Sequence, residues 1–443
     1  AAEFSMEDDG RRFRFRLRDD VRFHDGRRLT ARDVRYTFER LLQQTGANSH
    51  LLLPIRGARQ LASGDVGDLE GFRIHSATEF SVELETPLPF FNVLLTNPCT
   101  AIVPEGCVSF DTTWREQCAG TGPFRVVSVH PYERVELERN PNYWREGYPK
   151  GEGLVFSIGL SSQEAIEEFR AGQLSLLTDL TPSELNALRH DPEFAARYFE
   201  TPSLATAYLA LNTKKGPLAD VDVRRRVARA IDVESVVRRG LGRFALPALG
   251  MIPPGLLGHD PSARQLASQH RTPPGGERRY LGVSELTFAL ARSVLHTLSP
   301  LIDQLSEALK EHDIRLRVRG LSHEELIEAR ETCSVDMALS VWVLDFPDTD
   351  SLFTGLLHSQ EGVYGRMSGS PEVDQLIEQA RTELSVGMRH SIYRNIENVN
   401  TRDALGLALF HPPNYRFARP ELEGLVCTSL SYPVVAYEEL RIR

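Results

Sequence analysis

Residues 13–39 read FRFRLRDDVRFHDGRRLTARDVRYTFE, and the rest of the chain is interpreted from this stretch. Phe13, Phe15 and Leu17 alternate with Arg14, Arg16 and Arg18, the period of two that gives a strand one buried face. Asp19 and Asp20 end the run. His24-Asp25-Gly26 then makes a turn, where glycine takes a positive φ without steric cost. Thr30 caps a helix, with Asp33 three residues on as its capping-box partner. Val34, Phe38, Leu41 and Leu42 recur at helical spacing, so one helix face is apolar. His24 and Asp25 allow a catalytic-pair reading, but a fixed turn between strand and helix accounts for both without chemistry.

Three further stretches carry a recognisable order. Gly120-Thr121-Gly122-Pro123-Phe124 precedes two alternating strands that close on Arg139-Asn140-Pro141-Asn142-Tyr143-Trp144. As a phosphate loop the first run fails: it lacks a Lys-Ser/Thr ending, and Pro123 removes a backbone donor. Leu204–Asn212, LATAYLALN, is a strand of small and apolar residues that leads to Asp220, Arg224 and a helix ending Ala230-Ile231-Asp232. Ser340–Leu357, SVWVLDFPDTDSLFTGLL, is a strand that bends at Phe346-Pro347 into a helix capped by Asp348, Asp350 or Ser351.

With these stretches, above all FRLRDDVRFHDGRRLTARDV at 15–34, the chain resembles the extracytoplasmic solute-binding proteins that serve ATP-driven dipeptide, oligopeptide and nickel importers. The resemblance extends over nearly the whole sequence. It implies an α/β fold of two hinged lobes like the periplasmic binding proteins, with a small additional α+β domain on the first lobe. The implied division is 1–211 for the first lobe, with the small domain at about 45–150, then 212–410 for the second lobe and 411–443 returning to the first. In the family an earlier segment supplies opening strands, so an open edge or gap beside 13–17 is expected. The resemblance gives Tyr143 and Trp144 a packing role. In peptide-binding members, the aspartate aligned with Asp345 holds the ligand's α-ammonium. Asp345 is therefore the expected ligand anchor, with Trp342, Asn212 and Tyr208 as further expected contacts. A solvated carboxylate at a strand end is the other reading of Asp345.

Composition narrows the functional classes. The chain has 443 residues, 41% hydrophobic and 25% charged, an ordinary globular composition with room for two or three domains. Its net charge of −10 gives no general basic field for nucleic acid. Only Lys150, Lys214, Lys215 and Lys310 are lysines among 51 basic residues, an arginine excess that reads as coding bias. No apolar run approaches the ~18 residues of a membrane span. The five cysteines form no CxxC pair. Cys99, Cys107 and Cys118 lie close together, either as buried thiols or with a disulfide among them. His323-Glu324 begins like a zinc-protease motif, but Ile327 occupies the second ligand position.

Residues 286–318 read as a strand, a helix at 298–311 and a second strand, which implies a mostly parallel sheet covered by helices. The run His270–Glu277 reads as an exposed loop, and Ala263, Leu266 and Ala267 as a reduced helix. No catalytic group, metal site or cofactor is expected. The expected role is capture of a peptide or other small solute, as a monomer, for a transporter permease, in the periplasm or another extracytoplasmic space. A ligand-sensing module of a larger regulator or receptor is the alternative, cytoplasmic if fused to one. A chain that kept the fold but lost its ligand is a third reading.

Overall fold

The computed structural model of the chain describes residues 1–44, 49–107, 120–262, 282–430 and 435–443. Cys118, the 270–277 run and the reduced helix around Leu266 lie outside these residues. Strand Arg12–Arg16 buries Phe13 and Phe15, while its arginines face solvent and meet Glu79 and Glu3. It pairs antiparallel with Glu3–Glu7 on one side and Glu79–Glu83 on the other, and Phe72–Ile74 completes a four-stranded sheet. The expected gap beside this strand is not present. The neighbour at Glu3–Glu7 was not evident because every residue from Glu3 to Met6 is exposed, so it has no buried face to reveal it. Aromatic rings run across the sheet: Phe15 stacks on Phe80 at 5.0 Å, and Phe80 on Phe72 at 4.9 Å.

Helix Ala31–Gln43 covers that sheet. At its start, Asp33 Oδ2 accepts from Thr30 N at 2.8 Å and from Thr30 Oγ1 at 2.7 Å, and Asp33 Oδ1 accepts from Glu105 N at 2.9 Å. Leu42 and Leu51 share one core with Phe13, Val34 and Phe72. The expected domain boundary near residue 45 therefore runs through a single core, and the small α+β unit begins at the N-terminus. Residues 124–157 form a separate three-stranded sheet instead of extending that unit.

The turn at His24 ties these parts together. Its backbone N–H donates to Gly120 O at 2.9 Å, and its Nε2 lies 3.1 Å from Gly122 O. Gly122 O also accepts from Asn140 Nδ2 at 2.9 Å, so the opening stretch and both ends of the 120–144 stretch meet at one carbonyl. Asp25 turns away to Arg27 at 2.8 Å. Tyr143 donates to Glu438 at 2.6 Å, and the Arg18 guanidinium lies 4.5 Å from the Trp144 ring centroid. Tyr143 is half-buried and Trp144 is exposed, so the expected packing role in a core does not hold for Trp144, which lies on the surface against the Arg18 cation.

The second lobe is built on a six-stranded sheet. Its order is Leu246–Pro247, Gly406–His411, Ala205–Leu211, Met337–Val343, Glu285–Ala291, Arg315–Leu321. Helices cover both faces, with separate cores on each. Only two of its five pairings are parallel, those made by Glu285–Ala291. The sheet is thus mixed, because Ala205–Leu211 and Gly406–His411 enter from and return to the first lobe. Ala205–Leu211 is buried throughout within this sheet, so the crossing lies at Ser203-Leu204 and not at 211–212. The return crossing is at Pro412, after which Pro413–Ala418 pairs with Tyr198–Pro202 in the first lobe. Ser203 Oγ donates to Pro412 O, joining the two crossings.

Cys107 is disulfide-bonded, whereas Cys99, Cys333 and Cys427 remain thiols. No helix among the described residues is long and apolar enough to cross a membrane. Two measurements check these features. Thiol titration in denaturant should give three reactive groups without reductant. Asp33→Ala should lower unfolding free energy by about 1–3 kcal/mol in denaturant titrations, because it strands a cap and leaves buried donors unmatched.

Candidate functional site

Strand Met337–Val343 runs parallel to Glu285–Ala291, and the chain leaves its end through Leu344 and Asp345. Ligands in α/β folds gather beyond such carboxyl ends. Trp342 holds the exit: its Nε1 donates to Ser351 O at 3.0 Å. A Cβ on Gly355 would lie 2.1 Å from the indole, so glycine is required there. The Asp345 backbone is fixed twice, its N–H donating to Ser351 Oγ at 2.9 Å and its carbonyl accepting from Asn97 Nδ2 at 2.8 Å. Asn97 belongs to the N-terminal unit, as does Phe90, which stacks on Phe346 at 6.2 Å. Residues 345–346 therefore lie where the N-terminal unit meets the second lobe.

The three aspartates of this turn have different surroundings. Asp348 caps helix Thr349–Leu357 and pairs with Arg389 at 2.7 Å, both side chains nearly buried. Asp350 pairs with Arg381 at 3.1 Å inside the lobe. Asp345 has no arginine or lysine partner among the described residues, and the imidazole of His50 is 3.9 Å from its carboxylate. Its side chain is 31% exposed. Burial pushes its carboxyl above the usual range, and His50 opposes this only in part.

The other expected contacts lie elsewhere. Tyr208 is fully buried and donates to Asn400 Oδ1 at 2.8 Å. Asn212, 1% exposed, donates to Cys333 O and Val335 O and accepts from the N–H groups of Lys214 and Lys215. Both are engaged inside the second lobe. Only Asp345, with Trp342 supporting its turn, sits at the junction between units.

The sequence reading missed a group of basic side chains. Arg189 of the first lobe and Arg239, Arg243 and His296 of the second line one cavity between the lobes. A cluster spread over more than 100 positions leaves no local pattern, and the general arginine excess hides it. The available signal was the position of His296, five residues beyond the end of strand Glu285–Ala291. No group of three or more potential metal ligands is found among the described residues.

Two α/β lobes joined by paired crossing strands, with polar groups from both facing one cavity, define a hinged binding protein. Residues 1–363 match the family model of bacterial extracellular solute-binding proteins, family 5 Middle, and the chain belongs to that family. It is 25% identical to di/tripeptide-binding protein 2 of Pseudomonas aeruginosa over 459 aligned residues, covering 97% of this chain and 84% of that one. It is 23% identical to the periplasmic oligopeptide-binding protein of Salmonella typhimurium, covering 93% and 78%. The solved structure of the Escherichia coli murein tripeptide-binding protein matches with a TM-score of 0.82 at 22% identity, over 100% of this chain and 89% of that one. The family is one of substrate-binding transport proteins, not enzymes.

The Asp345 environment makes a prediction for the ligand-free protein. A carboxyl whose folded value is raised binds more protons folded than unfolded. Stability therefore falls as pH rises through its unfolded value of 3.8, and the penalty is complete above the raised folded value. Asp345→Asn lacks this penalty. Thermal melts should show the variant more stable than wild type at pH 7, with the difference vanishing below pH 3.8.

Proposed function

We propose that this chain captures a peptide-like ligand between its lobes, holds the ligand's amino end on Asp345, and delivers it as a monomer to an ABC-transporter permease from an extracytoplasmic compartment. The ligand is bound and released unchanged. One observation carries this reading. Asp345 is a partly dehydrated carboxylate at a strand end, fixed through its backbone from both sides and lacking the arginine that neutralises Asp348 and Asp350. An ammonium group supplies the missing charge. Relatives named for di/tripeptide and oligopeptide binding support the ligand class.

Closure follows from the same arrangement. A ligand that touches both lobes favours the state in which both are close, and only such differential contact shifts the equilibrium. The crossings at Ser203-Leu204 and Pro412 are the short segments that absorb the rotation.

Titration calorimetry with short peptides tests the anchor. Losing one partner of a buried charge pair typically costs about 2–5 kcal/mol. Asp345→Asn should therefore weaken binding roughly thirtyfold to several thousandfold. N-acetylation of the peptide should cost wild type a similar factor and the variant little. Equal affinity of variant and wild type for free-amine peptides would exclude Asp345 as anchor.

A further inference from the structure

The Asp345 carboxylate faces a titratable group from another unit. His50 lies in the short turn Ser49–Leu51 of the N-terminal unit, and its Nε2 is 3.9 Å from Asp345 Oδ2. The turn is held from behind, because Leu51 and Leu52 are fully buried in the core that contains Phe13 and Phe38. Its backbone also closes on itself, Leu52 N–H donating to Ser49 O at 3.0 Å and Leu53 N–H to His50 O at 3.3 Å. The imidazole is half exposed and open to protonation. On the other side, Asn97 Nδ2 bonds the Asp345 carbonyl and Phe90 stacks on Phe346. Imidazole and carboxylate therefore approach from different units across a junction that is fixed beside them.

The other charged groups around this pair have partners of their own. Asp348 takes Arg389, with Tyr393 Oη donating to the same carboxylate at 3.3 Å. Asp350 takes Arg381, which also reaches Glu361 at 3.2 Å. On the His50 side, helix Ala31–Gln43 carries Arg40 and the Arg35–Glu39 pair, and Arg56 pairs with Glu83 and Glu70. Arg59 acts on Glu361. Among the described residues, His50 is the charged group whose field acts on the Asp345 carboxyl. An imidazole gains its proton between about pH 8 and 5. Neutral, it leaves Asp345 without a counter-charge; protonated, it supplies one.

We propose that His50 is a built-in competitor for the ligand's amino end: once protonated it pairs with Asp345, ties the N-terminal unit to the second lobe without ligand, and turns the peptide away. The inference rests on the peptide reading given above and specifies how that site is regulated. One carboxylate then has two alternative cations, an ammonium brought by the ligand or an imidazolium held by the protein. The imidazolium is already in place, so pairing costs it no loss of translational freedom. It also repels an arriving ammonium. Because the proton on His50 and the ligand exclude each other, apparent affinity falls by up to about tenfold for each pH unit once His50 is charged. The coupling is reciprocal, so bound ligand expels the proton. Ligand held at neutral pH is released on acidification.

Titration calorimetry with one short free-amine peptide, at about pH 7.5 and about pH 5.5, tests the proposal across the range in which histidine changes charge. Wild type should bind at least about tenfold more weakly at the lower pH. His50→Gln should match wild type at the higher pH and bind several-fold more tightly than wild type at the lower one, a gain that damage to the fold does not produce. His50→Arg, charged throughout, should bind weakly at both. At the higher pH, His50→Gln should melt as wild type does and His50→Arg no lower. The same pH profile in His50→Gln as in wild type would place the effect on the Asp345 carboxyl itself and overturn the inference. Binding by wild type that does not change with pH, with free amino ends still preferred over acetylated ones, would overturn it alone. Failure of wild type to bind any peptide at either pH would overturn it together with the peptide reading.

Discussion

Two strands pass between the lobes side by side, and the Ser203 hydroxyl bonded to the Pro412 carbonyl binds one crossing to the other. On either side of this point the strands enter different sheets, Pro202 opposite Pro413 in the first lobe and Ala207 opposite Phe410 in the second. Backbone pairing resists twisting within each sheet, so relative motion is confined to the few residues between them. Pro412 and the flanking Pro413 and Pro202 narrow the available torsions further. The cavity and the Asp345 turn depend on this junction, because each is formed by residues brought from both sides of it.

What was legible in the sequence is what local pattern controls. The alternation at 13–17, the Thr30–Asp33 box and the strand-helix-strand unit at 285–321 all appear because their hydrogen bonds and apolar faces are set by near neighbours. The family was legible for a related reason: its shared stretches include those that meet at the Gly122 carbonyl, the strand at 205–211 in the centre of the second-lobe sheet, and the Asp345 turn. Long-range pairing was not legible. The mixed direction of the second-lobe sheet comes from strands separated by nearly 200 residues, and the strand at Glu3–Glu7 has no buried face to give it a signature. Of the candidate site residues, Tyr208 and Asn212 came from resemblance alone, and the structure places both in internal hydrogen bonds. The arginine cluster came from neither pattern nor resemblance, since only folding brings Arg189 beside Arg239 and Arg243.

The acidic turn shows how one short run holds a structure together and carries the proposed anchor. Asp348 and Asp350 are held by Arg389 and Arg381, which fixes the helix behind the turn. Arg389 also places its guanidinium 4.5 Å from the Phe90 ring centroid, so the same cation contacts the N-terminal unit. With its neighbours neutralised, Asp345 is left as the carboxylate whose burial is uncompensated by a nearby arginine. Sites that bind well commonly forgo some stability of the empty protein in this way. The backbone of Asp345 is already fixed from both sides in the ligand-free protein, so this turn carries little further ordering cost.

The paired crossing has a consequence for how such proteins can be altered. Residues 205–411 leave and rejoin the first lobe at adjacent points, so the second lobe is a single contiguous cassette spliced into its partner. Its entry and exit are spaced as two neighbouring strands, a distance that any relative with the same junction reproduces. A cassette from another member is therefore graftable without redesigning a linker, exchanging the whole second lobe while leaving the first in place. The junction makes the two lobes separately inheritable, so they can be recombined whole as well as altered by single substitutions.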